Sequence, residues 1–325
     1  VKSFKSIVLA VLVPIALAAC TVEEGTDSEA ASESALGEIT LIARGVDVGA
    51  EENTVPPIPI FGKRFSASAS LYAADASKLP GGAYRGAVLL NPGAVVRSRD
   101  MATFAEGLAK LGYITYVANN AVGDVKADQG GPVTGPIPLL VGNLIPNLAQ
   151  KLASDPKNVK NLPANIAAVH DAWNRARTPK IVAVGHSLGG AVLGSAASRT
   201  DNGLSRIVLI GTDELVDAGF PFGIEAPRPG ATPVPIVFVR GEKDGLAEAA
   251  KTATLAQKYP NAKVLPAIAG VNHFCIIDGL PGDSSAAGST APGAPGKRAK
   301  DGTSTLPSVQ ACVNATLTAI KPYLD

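Results

Sequence analysis

The sequence predicts an α/β protein with a mostly parallel central sheet covered by helices on both faces. Short, wholly apolar runs such as Gly86 to Leu90 (GAVLL) and Ile181 to Val184 are the pattern of strands buried on both sides. These runs alternate with segments of helical periodicity, as parallel strands joined by crossover helices require. With 325 residues, 46% hydrophobic and 18% charged, the chain can fill a large core and is not wholly disordered. The formal net charge of +1 and the lack of a basic stripe argue against a nucleic-acid partner. No repeat of fixed period is visible.

Residues 1–19 are expected to be a targeting segment. Lys2 and Lys5 precede an apolar stretch from Ile7 to Leu17, interrupted by Pro14 and shorter than the ~20 residues a membrane span needs. The ending Leu17-Ala18-Ala19-Cys20 resembles a bacterial lipoprotein lipobox, which implies cleavage before Cys20 and a lipid anchor on its thiol. Ala16-Leu17-Ala18 also fits an ordinary secretory site, with Cys20 incidental. Residues 20–37, acidic and rich in Ser, Thr and Ala, are expected to form a flexible tether, and residues 38–325 one catalytic domain. Export then permits a disulfide, and Cys275 and Cys312 are an even remainder; two buried free thiols are the alternative.

Glu38 to Val48 and Phe65 to Ala73 read as opening strands around the Pro56-Pro57 turn. After the strand at 86–90 comes the turn Asn91-Pro92-Gly93, then a helix near Met101 to Leu111 in which Phe104, Leu108 and Leu111 share a face and Gly112 supplies the stop. Ile114 to Ala118 is the next strand. Residues 119–160 are irregular, and the apolar patch at 137–146 is either packing or a lid. A helix from about Pro163 to Arg175 lines up Leu162, Ile166, Val169 and Trp173. Strands follow at 181–184, 207–210, 236–239 and about 264–268, with helices near 188–198, 246–258 and 308–320. Residues 279–305 are a loop rich in Gly, Ser, Pro and Ala.

Gly185-His186-Ser187-Leu188-Gly189-Gly190 lies between the strand ending at Val184 and a helix of small residues. That is the strand–turn–helix setting a Gly-x-Ser-x-Gly nucleophile requires, because a strained tight turn tolerates only small neighbours. The bland alternative is a glycine-rich turn whose serine caps the helix. Serine needs a general base. Of three histidines, His170 lies on a helix, His186 is expected to point away from the serine's partner, and His273 sits in a loop after the last strand. His273 is therefore the candidate base. Asp244, after the strand at 236–239, leads as the acid that orients it; Asp213 is its main competitor and Glu242 ranks third. Ser187, Asp244 and His273 occur in the chain order this nucleophile turn predicts. The oxyanion donors are expected to be the N–H groups of Leu188 and Ala94, with Gly93 next; Pro92 has none to give.

The segments NPGAVV, LAKLGY, GHSLGGA, VRGEKDGL and GVNHF, spread over residues 84–325, resemble the dienelactone-hydrolase-like branch of the α/β-hydrolase superfamily. The resemblance implies the α/β-hydrolase fold, a triad on Ser187, Asp244 and His273, no cofactor and no metal. The usual His-Gly of the oxyanion turn is Pro92-Gly93 here. Secreted cutinase-like, polyester-degrading relatives are also similar, with a disulfide near the catalytic histidine. That likeness implies a Cys275–Cys312 bridge anchoring the histidine loop to the last helix.

The expected activity is carboxylic-ester hydrolysis through an acyl-enzyme, on a small-molecule, lipid or polyester ester. Lipase or acyltransferase chemistry on lipids is one alternative. A non-catalytic surface lipoprotein that uses the fold for binding is another. A monomer is expected, exported and held at a membrane through Cys20.

Overall fold

The computed structural model describes residues 39–50, 68–93, 96–118, 144–178, 180–197, 203–213, 234–278 and 302–325. The expected signal segment, Cys20, the tether, Ala94 and residues 279–301 lie outside them, as do residues 119–143.

Among the described residues nine strands form one sheet: β1 (Leu41–Ala50), β2 (Ser68–Ala74), β3 (Gly86–Asn91), β4 (Tyr113–Ala118), β5 (Val159–Lys160), β6 (Ile181–His186), β7 (Arg206–Ile210), β8 (Ile236–Val239) and β9 (Ala262–Val264). Their order is β5-β1-β2-β4-β3-β6-β7-β8-β9. From β4 to β9 every pairing is parallel, while β2 runs antiparallel to β4 and β1 antiparallel to both β2 and β5. The wholly apolar runs fall in the parallel part. All six residues of β3, β4 and β6 are buried, because helices cover both faces there.

Among the described residues six α-helices do the covering: α1 (Ala102–Lys110), α2 (Leu144–Ser154), α3 (Ala164–Arg175), α4 (Leu188–Ala196), α5 (Ala249–Ala256) and α6 (Val309–Ile320). Alternation along β3 shows the layering. Ala87 and Leu89 join a core with Leu148 and Leu152 of α2, Ile166 of α3, Leu193 of α4 and Leu255 of α5. Val88 and Leu90 point the other way, into a core with Phe104 and Leu108 of α1 and Val313, Leu317 and Ile320 of α6. The mostly parallel, doubly covered sheet is the predicted architecture.

Three local expectations are corrected. The stretch 144–160 is regular: it forms α2 and the short strand β5 at the sheet edge. Pro146 is the third residue of α2, in the first turn, where a missing N–H removes no intrahelical bond. The helix expected from Leu246 begins at Ala249, because the N–H groups of Leu246 and Ala247 are taken by the Asp244 carboxylate. The strand expected at 264–268 is β9 at 262–264, after which Ile268 makes an isolated bridge to Gly241.

Candidate active site

β6 ends at His186, and α4 starts at Leu188. Ser187 between them has φ 53° and ψ −123°, a conformation that costs an L-residue about 1–3 kcal/mol and persists only where the surroundings enforce it. Four bonds enforce it. The Ser187 N–H donates to the Ile210 carbonyl at 2.9 Å, and the Ser187 carbonyl accepts from Gly190 N (3.0 Å), Ala191 N (3.2 Å) and Thr212 Oγ1 (3.2 Å). The small residues after the serine are required by close approach. A Cβ on Gly189 would overlap the backbone carbonyls of Asn91 and Pro92, and one on Gly190 would overlap the Thr212 hydroxyl. The end of β3 also grips the turn directly, through Asn91 Nδ2 donating to the Gly189 carbonyl at 2.9 Å.

His273 Nδ1 lies 3.0 Å from each oxygen of the Asp244 carboxylate. The side chains are 3% and 1% exposed, so this is a buried pair that must be satisfied by its own partners. Asp244 has further donors: Leu246 N at 3.0 Å and Ala247 N at 2.8 Å, both to Oδ1. Burial alone would raise the Asp244 pKa. The neighbouring His273, its hydrogen bond and the Ala247 N–H outweigh that and hold the carboxyl below its ordinary value. An ionised Asp244 accepts only, so Nδ1 of His273 carries a proton and Nε2 is left as the basic nitrogen of the neutral ring.

The pair and the serine share one sheet edge. Gly211, directly after the residue that accepts the Ser187 N–H, has φ 56°, and a Cβ on it would lie 2.9 Å from Asp244 Oδ2 and 3.1 Å from His273 Nδ1. The competing acids each accept a backbone N–H. Asp213 Oδ2 accepts the N–H of Glu248, the residue before α5, at 3.3 Å; Glu242 Oε2 accepts Gly270 N at 3.1 Å.

The loop holding His273 is fastened along its length. Asn272 Oδ1 accepts from Phe274 N (3.2 Å) and Cys275 N (2.8 Å), and its Nδ2 donates to the Gly302 carbonyl (2.9 Å). Cys275 is bonded to Cys312 of α6, as the expected bridge requires. Asp278 accepts Thr103 N in the first turn of α1 at 2.9 Å. Phe274 packs edge-on against the His273 ring, 4.7 Å between centroids.

Of the expected oxyanion donors, Leu188 is the first residue of α4, where helix N–H groups have no intrahelical acceptor. Ala94 is outside the described residues. Gly93, its alternate, faces Ser187: a Cβ there would lie 3.0 Å from Ser187 Cβ.

The expectation for His186 is overturned. Its ring does not point away from the serine's partner; it lies 4.8 Å from the His273 ring, with Nε2 2.8 Å from the His273 carbonyl oxygen. The alternating strand pattern puts the last residue of β6 on a covered face, but nothing local in the sequence indicates which loop meets it there. Asn91 and Thr212, polar residues just past apolar runs, likewise carry no local signal of the bonds they make to the turn. Among the described residues no cluster of His, Cys, Asp or Glu could hold a metal ion, and no helix is long and apolar enough to cross a membrane.

No protein-family model and no curated protein sequence matches the chain. Solved structures similar to it include a dienelactone hydrolase from Anabaena variabilis ATCC 29413, with 16% identity, 64% of this chain and 82% of that one covered, and TM-score 0.43. Esterase 2 from Thermogutta terrifontis gives 15%, 71%, 87% and 0.40 for the same quantities. A soluble variant of monoglyceride lipase from Saccharomyces cerevisiae gives 14%, 65%, 86% and 0.44. The chain's own features carry its assignment: the mostly parallel sheet, the positive-φ serine between β6 and α4, and an acid and a histidine following in that order make this an α/β-hydrolase fold.

Proposed function

We propose that this chain is a serine hydrolase that cleaves carboxylic esters through an acyl-enzyme. The observation that carries the reading is the buried Asp244–His273 pair at the sheet edge where a strained turn presents Ser187. In this reading Ser187 Oγ attacks the ester carbonyl while His273 Nε2 takes its proton. Asp244 keeps the imidazole in the Nδ1–H tautomer and stabilises the imidazolium that forms. The tetrahedral oxyanion is met by the Leu188 N–H and by the turn after β3. Collapse expels the alcohol, protonated by His273, and water releases the acid by the same steps in reverse.

Fluorophosphonate labelling and p-nitrophenyl ester hydrolysis test this. Ser187→Ala is expected to abolish labelling and to lower kcat by about 10⁴-fold or more; Asp244→Asn, which leaves the imidazole in the wrong tautomer, by about 10⁴-fold. A Ser187→Ala protein with full activity would refute the reading.

Export and a lipid anchor on Cys20 are part of the same proposal, supported by the sequence Leu17-Ala18-Ala19-Cys20. Metabolic labelling with an alkynyl fatty acid should mark the wild type and not Cys20→Ala.

A further inference from the structure

His186 is a buried titratable side chain that the proposed chemistry leaves unused. It is 1% exposed. A carbonyl oxygen can only accept, so the 2.8 Å contact with the His273 carbonyl fixes the proton of His186 on Nε2. Its Nδ1 is then a bare acceptor, and among the described residues it has no hydrogen-bond partner. That atom faces the turn after β3, where a Cβ on Gly93 would lie 3.0 Å away. Burial, with the neighbouring His273 adding to it, pushes the His186 pKa down to about 3, so the ring is neutral at ordinary pH.

An uncompensated buried acceptor costs stability, and an apolar side chain would remove that cost. What an apolar side chain cannot supply is the link this imidazole makes. His186 is peptide-bonded to Ser187, and its ring reaches the main chain of His273 with one hydrogen bond. That is a direct tie between nucleophile and base passing through none of the reacting atoms. The tilted packing of the two rings, at 46°, adds a second constraint on where the His273 imidazole lies.

We propose that His186 is a positioning residue, a neutral strut that fixes the backbone and ring of His273 relative to Ser187. The inference rests on the triad reading above. Positioning errors of about 1 Å are worth about a hundredfold in rate, which sets the size of the effect.

Two variants of the full chain separate donor from shape. His186→Phe keeps a ring and removes the donor; His186→Gln places an amide N–H where Nε2 stands. On a p-nitrophenyl ester, His186→Phe is expected to lower kcat by about tenfold to a hundredfold with KM within about twofold. His186→Gln is expected to recover kcat to within about threefold of wild type. Thermal unfolding of each variant accompanies the kinetics. Rescue of kcat by His186→Gln, which restores the donor without the ring, is the readout that ring packing cannot produce; the downfield proton resonance of His273 Nδ1–H should broaden in the Phe variant and sharpen again in the Gln variant. A Phe variant with kcat within twofold of wild type and a resonance no broader than the wild type's overturns the proposal. So does a folded Gln variant as slow as the Phe variant, and should the Phe variant not fold, the Gln variant's rate and resonance decide alone. Ser187→Ala and His273→Ala run alongside: hydrolysis surviving in both overturns the triad itself, whereas their loss beside a fully active Phe variant overturns only the strut.

Discussion

Cutting the Cys275–Cys312 bridge should cost stability far more than activity. The two cysteines are 37 residues apart in sequence. In the chain-entropy model, freeing a loop of that length returns to the unfolded chain about 4 kcal/mol of conformational freedom at 25 °C. Both cysteines are buried, at 2% and 1% exposure, so replacing them with alanine adds a small packing loss of about 1 kcal/mol. The native position of His273 is a separate matter, because the bridge is only one of its fastenings. The Asn272 side chain still bonds Phe274 N, Cys275 N and Gly302 O; Glu242 still holds Gly270; Asp278 still holds the start of α1. The Cys275→Ala/Cys312→Ala double variant should therefore lose about 4–5 kcal/mol in urea unfolding, about 5–15 °C in Tm, and less than tenfold in kcat at 25 °C. Thiol titration of the native wild type comes first, and two free thiols would refute the bridge. A loss of under 1 kcal/mol would refute the entropic argument. A kcat loss above a hundredfold would show that the other fastenings do not hold the loop.

Two further outcomes follow from the same geometry. Gly189→Ala puts a methyl group against the Asn91 and Pro92 carbonyls, backbone that cannot rotate aside; it should cost about 1–3 kcal/mol and at least tenfold in kcat, and a variant with wild-type kcat and Tm would disprove the close approach. Stability should also fall as the medium is acidified below about pH 6.5. His170 and His186 are held neutral, their pKa values pushed down by burial to about 4 and about 3, so the unfolded chain binds more protons between those values and 6.5. Their contributions, on the order of 3 and 5 kcal/mol, are fully present above pH 6.5 and drain away as pH falls toward the folded values. Urea midpoints that do not change between pH 7 and pH 4.5 would contradict this.

What was legible in the sequence was what burial on both faces writes into it. β3, β4 and β6 are continuous apolar runs, and their helices carry the 3.6 period, so the layers could be read in order. α2 was hidden by its composition: Pro146 and the Gly/Pro-rich stretch before it suggest a loop, although Leu144, Leu148 and Leu152 repeat at the helical spacing. Ser187 was legible because a strained turn needs its particular small neighbours. Asp244 and Asp213 both follow buried strands, however, and it is the path of the loop after β8, wrapped around the Asp244 carboxylate, that puts Asp244 against His273 Nδ1, while Asp213 accepts the N–H of Glu248. The bonds from Asn91 to Gly189 and from His186 to His273 span 98 and 87 residues. No local periodicity encodes such contacts. They exist because strand order places β3 beside β6 and brings the His273 loop over the end of β6.

The three histidines show why partners, and not burial, select the proposed base. All three are nearly inaccessible, at 1%, 1% and 4% exposure. His170 sits 2.9 Å from the Tyr116 hydroxyl with the Trp173 ring edge-on beside it, and His186 bonds a backbone carbonyl. Burial outweighs the weaker pull of the Asp171 carboxylate on His170 and of Asp244 on His186, so neither ring can hold a second proton near neutrality. His273 is the one whose Nδ1 meets a carboxylate, itself secured by two backbone N–H groups. Only there does gaining a proton at Nε2 create an ion pair in place of an isolated buried charge. In the proposed reaction, a proton taken from Ser187 is therefore affordable at His273 alone among the described histidines. The neutrality of His186 serves the same end: a charged ring 4.8 Å away would oppose the imidazolium that the proposed reaction must form.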